Sequence, residues 1–112
     1  MGAVIMNLQE ALVGLANNTL ASVDLNSQNI CNEGAIDLAK ALEINESLLS
    51  IGLSFDSIWD GGAIALANSL ETNKTLTSIN LACNPIGDEG AKALGNALGI
   101  NQTLSQDDEI CV

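Results

Sequence analysis

Residues 73–86 read NKTLTSINLACNPI, and the fold turns on how the first of them is understood. Asn73-Lys74-Thr75 is the N-x-[ST] pattern of an N-glycosylation acceptor, which would place it on a secreted surface loop. The same pattern recurs as Asn17-Asn18-Thr19, Asn45-Glu46-Ser47 and Asn101-Gln102-Thr103, each 28 residues from the next. A leucine follows every time: Leu20, Leu48, Leu76 and Leu104. Four sequons on one fixed period are a structural repeat, not four sugar sites. Asn tolerates the left-handed backbone conformation that helix C-terminal turns use, so a turn in that conformation is expected at each Asn.

The residues downstream repeat as strictly. After each leucine come ASVDLNSQNI, LSIGLSFDSI and TSINLACNPI. Their apolar positions are Leu20, Val23, Leu25 and Ile30, then Leu48, Ile51, Leu53 and Ile58, then Leu76, Ile79, Leu81 and Ile86. Alternation at Val23/Leu25, Ile51/Leu53 and Ile79/Leu81 marks short strands with one buried face, near 22–25, 50–53 and 78–81. Gln28, Asp56 and Asn84 stand where the chain leaves each strand, and all three can bond backbone there. Next come Asn32, Asp60 and Asp88, each suited to cap the helix that begins beside it. Ala35/Leu38/Ala39/Leu42, Ala63/Leu66/Ala67/Leu70 and Ala91/Leu94/Gly95/Leu98 are spaced i, i+3, i+4, i+7 along one helix face. Helices are expected over about 4–15, 34–43, 62–71 and 90–99.

The unit L-x-x-L-x-L-x-x-N-x-L with a helix of about ten residues resembles the ribonuclease-inhibitor-like class of leucine-rich repeats, as in the sensor ends of NLR receptors. The resemblance covers roughly residues 15–104. It implies an α/β, right-handed solenoid with a short parallel sheet on the concave side, helices on the convex side, and protein–protein recognition as its work. Residues 1–104 are read as the repeat domain, with an N-terminal capping helix over 3–16 and repeats at about 17–44, 45–72 and 73–100; residues 105–112 form an acidic tail. Both ends depart from the pattern. Leu15 precedes Leu20 by five residues where Leu42 precedes Leu48 by six, a one-residue deletion after the capping helix. In SQDDEICV, Asp107 and Glu109 occupy the places of buried strand residues, which predicts that the sheet stops after three strands. A chain cut short within a longer repeat protein explains this equally well.

Composition narrows the function. Fourteen acidic residues face three lysines and no arginine, a formal charge of −11. With Lys40, Lys74 and Lys92 as the cations, neither nucleic acid nor an anionic membrane surface is an expected partner. MGAVIMNLQEAL has neither the basic n-region nor the cleavage site of a secretory signal. Cys31, Cys83 and Cys111 do not form a disulfide framework, so a cytoplasmic location is expected.

Enzyme chemistry lacks its parts. Without His or Tyr, a Ser or Cys nucleophile has no usual base, and Cys83 is read as a packing or surface thiol. Asp88-Glu89 is explained by the start of a helix, where negative charge is favourable. NPIGDEGAKAL lacks the spacing of a phosphate loop, and the acids of Asp107-Asp108-Glu109 are too few for a Ca²⁺ site. No cofactor or metal is expected.

The candidate binding residues lie between the repeat's leucines. Leu49, Ser50, Gly52, Ser54 and Phe55 of the middle repeat should face outward, with Leu49 and Phe55 exposed among polar neighbours. Asp24, Asn26 and Asn80 form the polar flank. Trp59 is read either as a hot-spot aromatic or as a lid over Cys31 and Gly87. The expected partner is a neutral or basic protein. Three five-residue strands present roughly 250 Å², against about 800 Å² per partner in a stable interface. The chain is therefore read as part of a larger repeat protein, or as one that widens its surface through loops, helices or self-association. The alternative within the same family is a GTPase-activating regulator of a nucleotide switch, though no Arg is present to supply charge to the transition state.

Overall fold

The computed structural model describes residues 4–101. In chain order the elements are β1 (Val4–Ile5), α1 (Leu8–Ala16), β2 (Ser22–Asp24), α2 (Cys31–Ile44), β3 (Ser50–Gly52), α3 (Asp60–Thr72), β4 (Ser78–Asn80) and α4 (Asp88–Ile100). The strands form one parallel sheet in sequence order, β1-β2-β3-β4. From β2 onward the register is the repeat itself: Val23 pairs with Ile51 and Ile51 with Ile79. The alternating residues Val23, Leu25, Ile51, Leu53, Ile79 and Leu81 are buried in one core with Ala35, Leu38, Leu42, Ala63, Leu66, Leu70 and Leu94 from the helices. Gly95, expected in the α4 stripe, is instead exposed, and Ala97 is buried.

The amino end differs from the expected helix over 3–16. Helix α1 starts at Leu8, and Val4–Ile5 pairs with Val23 and Asp24 as a further strand. Asn7 stops the helix from reaching further back. Its side chain accepts from the Glu10 N–H at 2.8 Å, and the Glu10 carboxylate accepts from the Asn7 N–H at 3.1 Å, a reciprocal capping box. The other three helices begin two or three residues earlier than the apolar stripes alone suggest. The expected acidic tail, and the reading that Asp107 and Glu109 end the sheet, lie outside the described residues.

The repeated Asn does not adopt the left-handed conformation. Asn45, Asn73 and Asn101 have φ near −70° with extended ψ, and Asn17 is right-handed. Asn73 is buried, and its Nδ2 donates to the Leu42 carbonyl (2.8 Å) and the Asn45 carbonyl (3.3 Å) of the preceding repeat. Its Oδ1 accepts from the N–H groups of Thr75 (3.0 Å) and Leu76 (2.8 Å). Asn101 donates in the same way to Leu70 and Asn73, and Asn45 donates to Leu15. A buried amide thus satisfies carbonyls at the end of the previous helix, which is why the residue recurs. An amide nitrogen buried and donating in this way is not presented for glycan attachment.

The expected helix caps are also relocated. Asn32 does not cap α2; its Oδ1 accepts from Trp59 N–H and Gly62 N–H, both at 2.9 Å, at the start of α3. Asp60 Oδ1 likewise serves Gly87 (2.7 Å) and Gly90 (3.1 Å) at the start of α4. At the starts of α3 and α4 the unpaired N–H groups are thus met by the repeat before. Gly90 is required for this approach, because a Cβ there would come within 2.7 Å of Asp60 Oδ1 and 3.0 Å of the Ala63 methyl.

Candidate protein-interaction surface

Each strand is left through a sharp turn. Ser27, Phe55 and Cys83, one repeat apart, all have left-handed backbones, with φ of 59°, 58° and 60°. Their backbones are tied to the next strand layer: Ser27 N–H donates to Ser54 O at 2.9 Å and Phe55 N–H to Ala82 O at 3.2 Å. The turn fixes the Phe55 backbone and leaves its ring outside, 62% exposed. Leu49, just before β3, is 50% exposed, and Trp59, just before α3, is 59% exposed. Leu49 and Phe55 therefore lie at opposite ends of β3, while Phe55 and Trp59 share the segment that joins β3 to α3.

The polar flank does backbone work. Asp24 Oδ1 accepts from Asn26 N–H and Asn80 Oδ1 from Ala82 N–H, both at 2.9 Å, closing small turns at the strand ends. Asn26 Oδ1 accepts from Ser54 N–H at 2.8 Å in the next repeat. Gly52 makes room for it, since a Cβ at Gly52 would meet that same oxygen at 2.8 Å. Ser54, expected to face outward, is buried beneath this contact. Ser22 and Ser50 share a 2.7 Å hydroxyl hydrogen bond across the sheet. All three polar candidates remain partly exposed, with acceptor capacity beyond these bonds.

Among the described residues, no group of three or more His, Cys, Asp or Glu side chains is placed to hold a metal. The glycine-rich start of α4 has its N–H groups of Gly87 and Gly90 filled by Asp60, where a phosphate loop would leave them open. No helix among the described residues is long and apolar enough to cross a membrane.

Residues 72–95 match the family model described as Leucine Rich repeat. The chain carries a leucine-rich repeat. The structure titled "Leiomodin-1 Actin-Binding Site 2 (ABS2)" is 33% identical with a TM-score of 0.83, over 94% of this chain and 65% of that one. The tropomodulin C-terminal domain of Caenorhabditis elegans is 20% identical with a TM-score of 0.79, over 88% of this chain and 61% of that one. The chain thus spans less than two-thirds of either. No curated protein sequence matches it. The likeness to the leiomodin-1 and tropomodulin domains is one of fold, consistent with the repeat match at residues 72–95.

Proposed function

We propose that this chain is a non-enzymatic protein-interaction module, a ribonuclease-inhibitor-like repeat coiled as a right-handed solenoid, that binds its partner across the concave sheet. Phe55 is the centre of that surface, with Trp59 in the following loop, Leu49 at the far end of the strand, and Asp24, Asn26 and Asn80 as the polar border. One observation carries this reading: Phe55 is a large aromatic held at φ 58° and left 62% exposed. Folding gains little from a ring in water and loses on the order of 1 kcal/mol to a left-handed backbone, while the same slot accepts Ser27 and Cys83. An exposed aromatic at a strained position is the arrangement of a binding hot spot. The partner is a neutral or basic protein, matched to the acidic surface, and the setting is the cytoplasm.

Leiomodin-1, through its titled actin-binding site, makes actin the first partner to test. Co-sedimentation of the whole chain with actin filaments, beside Phe55→Ser, distinguishes the outcomes. Phe55→Ser copies the first repeat, so its unfolding free energy should stay within about 0.5 kcal/mol of the parent's while binding is lost. Equal binding by both chains removes Phe55 from the surface, and an unfolded variant makes the ring part of the core.

A further inference from the structure

One residue per repeat serves the strand exits, and the three are not chemically equal. Asn84 fills the place as an amide. Its Oδ1 accepts from the N–H groups of Asp56 (2.9 Å) and Ile58 (3.1 Å), and its Nδ2 donates to the carbonyls of Leu53 (2.8 Å) and Leu81 (3.0 Å). Asp56 reproduces only the accepting half. Its Oδ1 takes the N–H groups of Gln28 (2.7 Å) and Ile30 (3.4 Å), while Oδ2 is buried without a hydrogen-bond partner. The whole residue is 0% exposed.

The 28-residue register puts Oδ2 where Asn84 has its donating nitrogen, and the counterparts of Leu53 and Leu81 are Leu25 and Leu53. An ionised carboxylate there sets an acceptor against acceptors in a fully buried site, and the two N–H groups on Oδ1 offset only part of the cost of burying the charge. A proton on Oδ2 turns that opposition into a donor. We propose that Asp56 is carried in the folded chain as the neutral carboxylic acid, the single hydrogen of its Oδ2 hydroxyl donated to the Leu25 carbonyl just beyond β2, so that the joint between the first two repeats is a proton-gated latch.

The surroundings agree. Burial pushes the Asp56 carboxyl above its usual value of 3.8; the N–H groups of Gln28, Ile30 and Asn29 work against this, and the negative charge of Asp24 on β2 adds to it. At the near ends of the neighbouring elements stand Cys31 and Glu33 at the start of α2, Asp60 at the start of α3 and Cys83 beyond β4, none of them positive; Lys40 and Lys92 lie on later turns of α2 and α4, exposed to solvent. A group whose pKa is raised by folding contributes stability that is whole below pH 3.8 and lost as pH rises through the folded value. Over that window the unfolded chain has released the proton and the folded chain still holds it.

Carboxyl carbon NMR of the whole chain, titrated across the acid range, tests the proton directly. Asp56 should keep it at pH values where the other resolved carboxyls have ionised; titration together with them overturns the proposal. Asp56→Asn supplies the missing donor permanently. Its denaturation midpoint should exceed the parent's at neutral pH and approach it in acid, reducing the proton-linkage slope by up to one proton. A variant that folds yet is less stable at neutral pH with an unchanged slope also overturns it. Asn84→Asp should install the same dependence one repeat later, with the midpoint lowered at neutral pH and recovered in acid. The parent's own titration decides the matter should either variant fail to fold.

Discussion

Leu53 and Asn73 lie in the same interior, one apolar and one polar, and truncating either should be costly for different reasons. Leu53 is fully buried, between the layers built by Leu25 and Leu81. Leu53→Ala should cost on the order of 2–5 kcal/mol as a cavity, and an unchanged urea midpoint would take it out of the core. Asn73→Ala should cost on the order of 2–4 kcal/mol, because it strands buried carbonyls on Leu42 and Asn45 together with the N–H groups of Thr75 and Leu76. A loss under 1 kcal/mol would mean that water replaces the amide. The two residues were unequally legible. Leu53 shows in the sequence because alternation reports burial directly. Asn73 shows only as a recurrence: Asn usually marks turns, and the carbonyl that explains it belongs to Leu42, a full helix earlier. Phe55 was legible as a misfit against Ser27 and Cys83. That Asp24 and Asn80 close turns, and that Asn26 reaches the next repeat, was not, since backbone geometry decides whether a polar side chain meets a main-chain group or solvent.

Helix starts show the same limit among elements. Asn32 and Asp60 are recognisable as acceptors for unpaired N–H groups, but a sequence displays the neighbour along the chain and hides the neighbour in the next layer. The recipient helix follows from the register of the strands, in which residues 28 apart are side by side. Asp60→Ala should therefore cost about 0.5–2 kcal/mol, with the damage read in α4. Hydrogen exchange should quicken at Gly87 and Gly90 and stay nearly unchanged in the first turn of α3; the reverse pattern returns Asp60 to its own helix. Gly90→Ala pushes a methyl into Asp60 and Ala63 and should cost about 1–3 kcal/mol by the same thermal or urea assay. The start of α1 was placed four residues too early, although both halves of its capping box, Asn7 and Glu10, lie within one turn of each other. What hid β1 is its shortness: two residues carry no alternation.

Charge acts at the scale of the whole molecule. Fourteen acids against three lysines repel one another across a small body, so added salt should raise the thermal midpoint by screening that repulsion. The same screening should weaken attachment to a basic partner. Melting and binding measured together across a salt series should move in opposite directions; a midpoint that falls with salt would show that attractive pairs outweigh the repulsion.

Because from β2 onward every ladder bond joins residues about one period apart, the repeats can be edited only in whole units. Excising residues 45–72 would bring Gly87 and Gly90 to Asn32, set Asn73 beneath the Leu15 carbonyl, and seat Ser78 beside Ser22. A cut one residue longer or shorter would turn core leucines toward water and orphan every amide at once. The whole-unit splice brings one misfit, Asn80 arriving where Gly52 had stood aside for Asn26. Lengthening by duplication obeys the same arithmetic, so a gene encoding such a chain can grow by copying 28 codons and inherit a finished interface with each copy.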